Sequence, residues 1–364
     1  MGSSESPVKQ NDRVTTVNTA MNFPADKWQR GTPASHGIDA AKLQAALQYI
    51  TAHCKQDKLG ELMIAYNGVA IHQGNSTNRI HNIWSCSKSF TSTALGLLIA
   101  DGRCTLDTLA ADIDPNLHEL YPKATLREFV TMTSGFSAKG RSRWDDENSD
   151  WSLTPYEPDT PHFAPGSAYA YWDEAQMTLG RLLTRVARQN LRDYLNERVF
   201  QPIGMGEVEW LHEGEIDGIP ICNGCTNVKL NANQLARFGH LYLNGGKWNG
   251  KQIIPADWVE QATKTQVSVE LPVGKTDRVN VRGPGAYGFN WWTNGGENRM
   301  PDAPPRTFYA SGLHHNLLFV IPEWDMVVVR MGTDGNPAMG KPQAWNGFFK
   351  KLREAMPEAS NENN

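Results

Sequence analysis

The spacing of apolar positions changes several times along this chain, and each change marks a new kind of element. Asp39 is a good helix N-cap, and Leu43, Leu47 and Ile50 recur on one face behind it, which predicts a helix over residues 40–54. Residues 61–66 and 69–73 are then β-rich runs separated by Asn67-Gly68, the strongest short hairpin signal, and residues 80–84 suit a further short strand. Residues 86–101 are apolar nearly all round after their first turn and stop at Gly102, the pattern of a helix buried inside a domain. Thr125-Leu126-Arg127-Glu128 is a capping box opening a short helix that ends before Ser134-Gly135. Helical periodicity returns over 173–189, 191–199, 231–243 and 255–263, with a small turn or hairpin at 248–251. A polar, Gly- and Pro-rich connection leads to strands predicted at 287–292, 307–310, 316–321 and 326–331, and a last helix over 344–355.

The order is helix and strands, a mainly helical block, then strands and a helix. The simplest arrangement pairs the terminal strands in one antiparallel sheet, packs the terminal helices on it and inserts the middle as a helical domain. The expected fold is therefore α/β (α+β). Residues 23–84 with 280–364 form one domain, 85–279 the insertion, and 1–22 a flexible tail without hydrophobic periodicity.

Composition narrows the function. In 364 residues, 40% hydrophobic and 20% charged content is that of a soluble globular protein, and 35 basic against 39 acidic residues leave no electrostatic footprint for nucleic acid. The longest nearly apolar run, 93–100, is far short of the roughly 20 residues of a membrane span. The first 22 residues carry no leader-like apolar stretch, so the chain reads as cytoplasmic as it stands, or periplasmic or secreted if a signal peptide was removed. Met1-Gly2 with Ser6 fits a myristoylation pattern but equally an expression scar, and the tail is set aside. Five cysteines, Cys54, Cys86, Cys104, Cys222 and Cys225, are too sparse and odd in number for a disulfide scaffold.

Ser85-Cys86-Ser87-Lys88 has the SxxK spacing, of which about one chance match is expected in a chain this long, and Ser6 to Lys9 is such a match. Context separates the two. Ser85 lies where a strand ends and the buried helix begins, and Lys88 falls on the same helix face. Partial desolvation there is expected to lower the Lys88 pKa, so that the amine accepts or relays the serine proton. The plainer alternative makes Ser85 an N-cap and sends Lys88 to solvent.

The stretch from Trp84 to Ser92 resembles the active-site helix of the serine β-lactamase and penicillin-recognising superfamily, especially its class C and related esterase branch. Thr125-Leu126-Arg127 running into Thr131 to Phe136 is similar to that branch's "TLR…LLTHTSGL" stretch. Pro202 to Met205, Ala236 to Gly239 and Tyr287 to Trp292 resemble its "PLGM", "ARFG" and "YGxxWW" in family order. The resemblance implies a β-lactamase/DD-peptidase-like fold, an acyl-serine mechanism and no cofactor or metal.

The family's second motif, Tyr-x-Asn, is met literally by Tyr194-Leu195-Asn196 and Tyr242-Leu243-Asn244, but both lie inside helical stretches. Tyr171 follows a Pro165-Gly166 turn and precedes a helix, so Tyr171 is the expected relay tyrosine beside Lys88. Asp173 then stands where the family has asparagine, either meeting substrate or capping the helix behind it. The third motif, Lys-Thr-Gly or His-x-Gly, falls on Ala310-Ser311-Gly312 without its cation. That weakens the case for substrates bearing a carboxylate. Ser311 and Gly312 are expected to meet substrate, and the N–H groups of Ser85 and Leu313 to form the oxyanion hole. His314 and His315 receive no role, and Trp144, Trp151 and Trp172 are candidates for an apolar acyl pocket.

Other signals fail. No G-x-S-x-G elbow occurs, the P-loop mimic at 245–251 continues with Gln252, and Cys222-Asn223-Gly224-Cys225 is a lone CxxC. The resemblance thus implies a carboxylesterase or amidase acting on small ester, amide or lactam substrates. A class C-type β-lactamase or D-amino-acid peptidase is the alternative, and a catalytically silent binding or structural member a further one. Oligomeric state is left open.

Overall fold

Strands from both ends of the chain meet in one six-stranded sheet in the computed structural model, which describes residues 21–54, 58–143, 151–276, 283–295, 299–333 and 342–357. Residues 1–20 of the expected tail and Trp144 lie outside the described residues. Helix α1 (Ala40–Thr51) is capped by Asp39, whose side chain accepts from the Ala41 and Lys42 amides. The hairpin β1 (Leu62–Tyr66) and β2 (Val69–Gln73) turns at Asn67 and Gly68, both at positive φ, as a tight two-residue turn requires. The short β3 (His81–Asn82) leads into α2 (Ser87–Ala100), buried nearly all round.

The middle block carries α3 (Ala110–Ile113), α4 (Leu126–Val130, opened by the Thr125–Glu128 capping box), α5 (Asp173–Ala187) and α6 (Leu191–Leu195). It continues through β4 (Glu209–Trp210), β5 (His212–Ile216), β6 (Ile219–Cys222), β7 (Val228–Leu230), α7 (Ala232–Leu243), β8 (Lys247–Trp248), β9 (Lys251–Gln252) and α8 (Ala256–Ala262). The chain closes with β10 (Trp292–Thr293), β11 (Phe308–Gly312), β12 (Asn316–Ile321), β13 (Met326–Arg330) and α9 (Pro342–Ala355). The short strand expected at 80–84 forms as β3, but within the mainly helical stretch its ribbon partners β7 and β4 and the β5–β6 hairpin escaped the sequence reading. Their strands are polar or two to five residues long and show no sustained alternation.

The large sheet runs β10-β11-β12-β13-β1-β2, every neighbour antiparallel. Both faces are covered, which is why β12 and β13 read as continuous apolar runs. Leu317, Phe319 and Ile321 share one core with α1 and α9, whereas Leu318 and Val320 share the other with α2 and α7. Gly239 of α7 sits where an added Cβ would meet Leu318 Cδ1 at 2.5 Å, so the helix approaches the sheet closely. Residues 287–292, expected as a strand, instead make a turn. Asn290 takes φ 56°, and only Trp292–Thr293 pairs with β11. Among the described residues no helix is long and apolar enough to cross a membrane.

The fully buried His240 of α7 bonds the Asn22 carbonyl through Nε2 at 2.7 Å and packs against Phe23, Trp28 and Trp248. Burial, aided by nearby Arg237, pushes the imidazole down to about 4. The unfolded chain therefore takes up this proton first as pH falls, and folded stability drops between about pH 6.5 and pH 4. Urea unfolding is expected to lose up to about 3 kcal/mol over that window in the native chain. His240→Gln should remove that part of the pH dependence.

Candidate active site

Ser85 stands in a 3-10 turn, Trp84–Cys86, that leads straight into α2. The turn starts from a left-handed Trp84, φ 52°, a conformation that costs of order 1–3 kcal/mol in a bulky residue. Asn82 holds it there: its Oδ1 accepts the Trp84 amide at 2.7 Å and the Asn227 amide at 3.2 Å, tying the turn to the loop before β7. Ser87 fastens the other side, its Oγ accepting the Val228 amide at 3.1 Å.

Lys88, one turn on, is 2% exposed and surrounded by oxygen atoms. Its Nζ donates to Ser85 Oγ at 2.9 Å and to the Cys225 carbonyl at 3.1 Å, and lies 2.6 Å from Asp173 Oδ1. The Tyr171 ring is also near, its centroid 4.8 Å from Nζ. The expected lowering of this pKa is corrected here. Burial works against the charge, but the Asp173 carboxylate outweighs it and holds the ammonium well above its ordinary range. A sequence pattern could supply the apolar helix but not the carboxylate brought to it from α5.

Tyr171 directly precedes α5, and the strand-like path up to it is pinned by Tyr169 N to the Pro272 carbonyl and Ala170 N to the Met132 carbonyl. Its ring stacks on Trp292 at 5.7 Å and meets Tyr287 edge-on. Burial pushes the phenol up to about 12 against the pull of Lys88, so it is neutral beside the ammonium. The two literal Tyr-x-Asn matches are elsewhere engaged. Tyr194 bonds Asp101, and Tyr242 bonds Thr93.

Asp173 begins α5 and faces two ways, Oδ1 to Lys88 and Oδ2 to the Trp151 indole N–H at 2.9 Å. The adjacent Glu174, 3% exposed, accepts the amides of Ala138 and Ser152 and the Trp172 indole. Two consecutive carboxylates thus fasten both described ends of the 138–152 loop beside the site. Desolvation raises the Glu174 pKa even against those three donors.

Gly312 ends β11 against the Trp84–Cys86 turn. A Cβ there would lie 2.2 Å from the Ile83 carbonyl oxygen and 3.2 Å from the Ser85 nitrogen. Ser311 is half-buried, Leu313 is 56% exposed, and Ala310 is buried where the resemblance puts a cation. His314 and His315 follow, both at φ 59°, and His314 packs edge-on against Trp84 at 5.6 Å. The structure thus gathers Ser85, Lys88, Tyr171 and Asp173 in one cluster, with Gly312 beside Ser85.

Sequence reasoning missed the groups that lock this cluster. Asn290, 3% exposed, donates to Gln176 Oε1 at 2.7 Å and to the Lys88 carbonyl at 3.2 Å, while Ser89 Oγ donates to the Asn290 carbonyl at 2.9 Å. It sits in the turn at 287–292 expected as a strand, and its left-handed φ of 56° is visible only in the structure. Cys222 and Cys225 are thiols bonded to Asn190 and Asn223, and among the described residues no group of three or more His, Cys, Asp or Glu is arranged to hold a metal ion.

A sequence model of the Beta-lactamase family matches residues 60–347. An uncharacterized protein of Alkalihalophilus pseudofirmus is 26% identical over 289 residues, covering 73% of this chain and 76% of its own length. A D-aminopeptidase of Brucella anthropi is 30% identical over 134 residues, 35% of this chain and 25% of the relative. The crystal structure of a family VIII carboxylesterase superposes with TM-score 0.66 at 16% identity, covering 88% of this chain and 99% of that one, and so shares the fold.

The packing of Gly312 gives a direct test. Gly312→Ala forces the strand off the Ile83 carbonyl, and overpacking of this kind costs about 1–3 kcal/mol. Denaturant titration should show that loss, and covalent labelling of Ser85 should slow with it.

Proposed function

Since the chain belongs to the beta-lactamase family, whose members are hydrolases, we propose that it is a serine hydrolase cleaving a small ester or amide through an acyl-serine intermediate. The contact that carries the reading is Lys88 Nζ at 2.9 Å from Ser85 Oγ and 2.6 Å from Asp173 Oδ1. Ser85 Oγ attacks the substrate carbonyl and gives its proton to Lys88 Nζ as Lys88 passes one of its own to Asp173. The amine thus stays cationic and the carboxyl becomes neutral. Collapse of the tetrahedral intermediate expels the leaving group, which receives a proton from Tyr171 while Lys88 replenishes it and Asp173 returns its proton to Lys88. Water repeats the sequence to release the acid. The N–H groups of Ser85 and Leu313 hold the oxyanion, and Ser311 and Gly312 line the strand side of the substrate.

Ala310, in place of a cation, favours an uncharged acyl substrate, hence a carboxylesterase or amidase. The local likeness to a D-aminopeptidase favours a second reading, a peptidase on D-amino-acid substrates.

Intact-mass analysis after a fluorophosphonate probe should show one adduct, absent from Ser85→Ala. No adduct on folded protein would instead support a silent binding member. Turnover of p-nitrophenyl butyrate, nitrocefin and D-alanyl p-nitroanilide then ranks esterase, lactamase and peptidase. Lys88→Met and Tyr171→Phe should each lower kcat/KM by about 10²–10⁴. Asp173→Asn leaves burial unopposed at Lys88, so the lysine should lose its proton more readily and the acid limb of the kcat/KM–pH profile should move to lower pH.

A further inference from the structure

Arg330, the last residue of β13, is a fully buried cation that the proposed chemistry does not use. Its guanidinium points at the turn after β11, with Nη1 donating to the His314 carbonyl at 2.7 Å and to the His315 carbonyl at 3.3 Å. Gly332 leaves it room, because a Cβ there would meet the guanidinium carbon at 3.0 Å. Both histidines are left-handed at φ 59°, a conformation that residues with a Cβ rarely hold twice in succession. Asn316 braces the same turn, its Nδ2 donating to the Leu313 carbonyl at 2.7 Å, and the Asn316 carbonyl in turn accepts the Cys86 thiol at 3.2 Å, beside the nucleophile.

We infer that Arg330 is a positioning residue of the acyl-transfer reaction: by gripping the His314 and His315 carbonyls it holds the double left-handed turn that aims the Leu313 N–H at the Ser85 oxyanion. The two carbonyls are drawn inward to the guanidinium, while Leu313, just before them and next to the Gly312 that packs on the Ser85 turn, is exposed. A turn that relaxes moves this donor, and loss of one oxyanion donor typically costs 10²–10³ in rate. The inference rests on the acyl-serine reading above.

The test uses glycine, which takes the left-handed conformation without penalty. Arg330→Met is expected to label with fluorophosphonate, and to turn over ester, about 10–100-fold more slowly through kcat, with KM changed less. His314→Gly/His315→Gly added to it should restore most of that rate, and alone should leave the native rate within about threefold. Hydrogen exchange of the 313–316 amides, followed by mass spectrometry, should accelerate in Arg330→Met and slow again in the glycine combination, whatever the activity. If Arg330→Met does not fold, Arg330→Lys carries the same comparison, since the ammonium grips one carbonyl where the guanidinium spans two. A folded Arg330 variant with native labelling and native exchange overturns the inference. So does a loss that the glycines do not rescue. Failure of the native chain to label would count against the acyl-serine reading, while the exchange data would still decide whether Arg330 holds the turn.

Discussion

A lysine ammonium with 2% exposure is the constraint around which this molecule is arranged. An unpaired charge so deep would shed its proton or unfold its surroundings. Lys88 is kept charged because three separate segments close around it: Ser85 from its own turn, Asp173 and the Tyr171 ring from the start of α5, and the Cys225 carbonyl from the loop between β6 and β7. Each segment is then constrained in turn. α5 must begin where Asp173 reaches Nζ, and the 223–226 loop must present a backbone carbonyl. Removing one partner of such a buried pair typically costs 3–5 kcal/mol, so the site and the packing of the helical block are one energetic unit.

The sheet fixes the other half of the cleft. Because β12 and β13 are buried on both faces, a one-residue slip would exchange the two cores, and the register that places Gly312 beside Ser85 is strongly specified. Asn290 joins this half to the helices by bonding the Lys88 carbonyl and Gln176 together. It does so from a left-handed turn, and Trp84, His314 and His315 near Ser85 share that conformation. Strained backbone concentrated in this way belongs where surrounding hydrogen bonds over-determine it, as Asn82 does for Trp84 and Arg330 for the histidines.

Much of this was legible in the chain. The 40–54 periodicity, the Asn67-Gly68 hairpin, the buried helix after Ser85, the Thr125 capping box and the last two strands all rest on local chemistry, and each forms within a few residues of its expected bounds. Tyr171 was separable from Tyr194 and Tyr242 because a phenol just before a helix is free to project, whereas one inside a helix is committed to packing. The β5–β6 hairpin was not legible, since a strand of the composition His212-Glu213-Gly214-Glu215-Ile216 shows no alternating apolar face. Nor was the turn at Asn290, whose apolar neighbours mimic a strand.

Sequence alone determined which side chains are proposed for the chemistry, the helix-flanked antiparallel sheet and the alanine at 310 where the resemblance puts a cation, because residue type and spacing are local properties. Tertiary structure decided their state. Whether Lys88 is an amine or an ammonium depends on a carboxylate 85 positions away in the chain, brought to 2.6 Å by the packing of α2 against α5. Electrostatic energy follows distance in space, and no pattern read along the chain contains that distance.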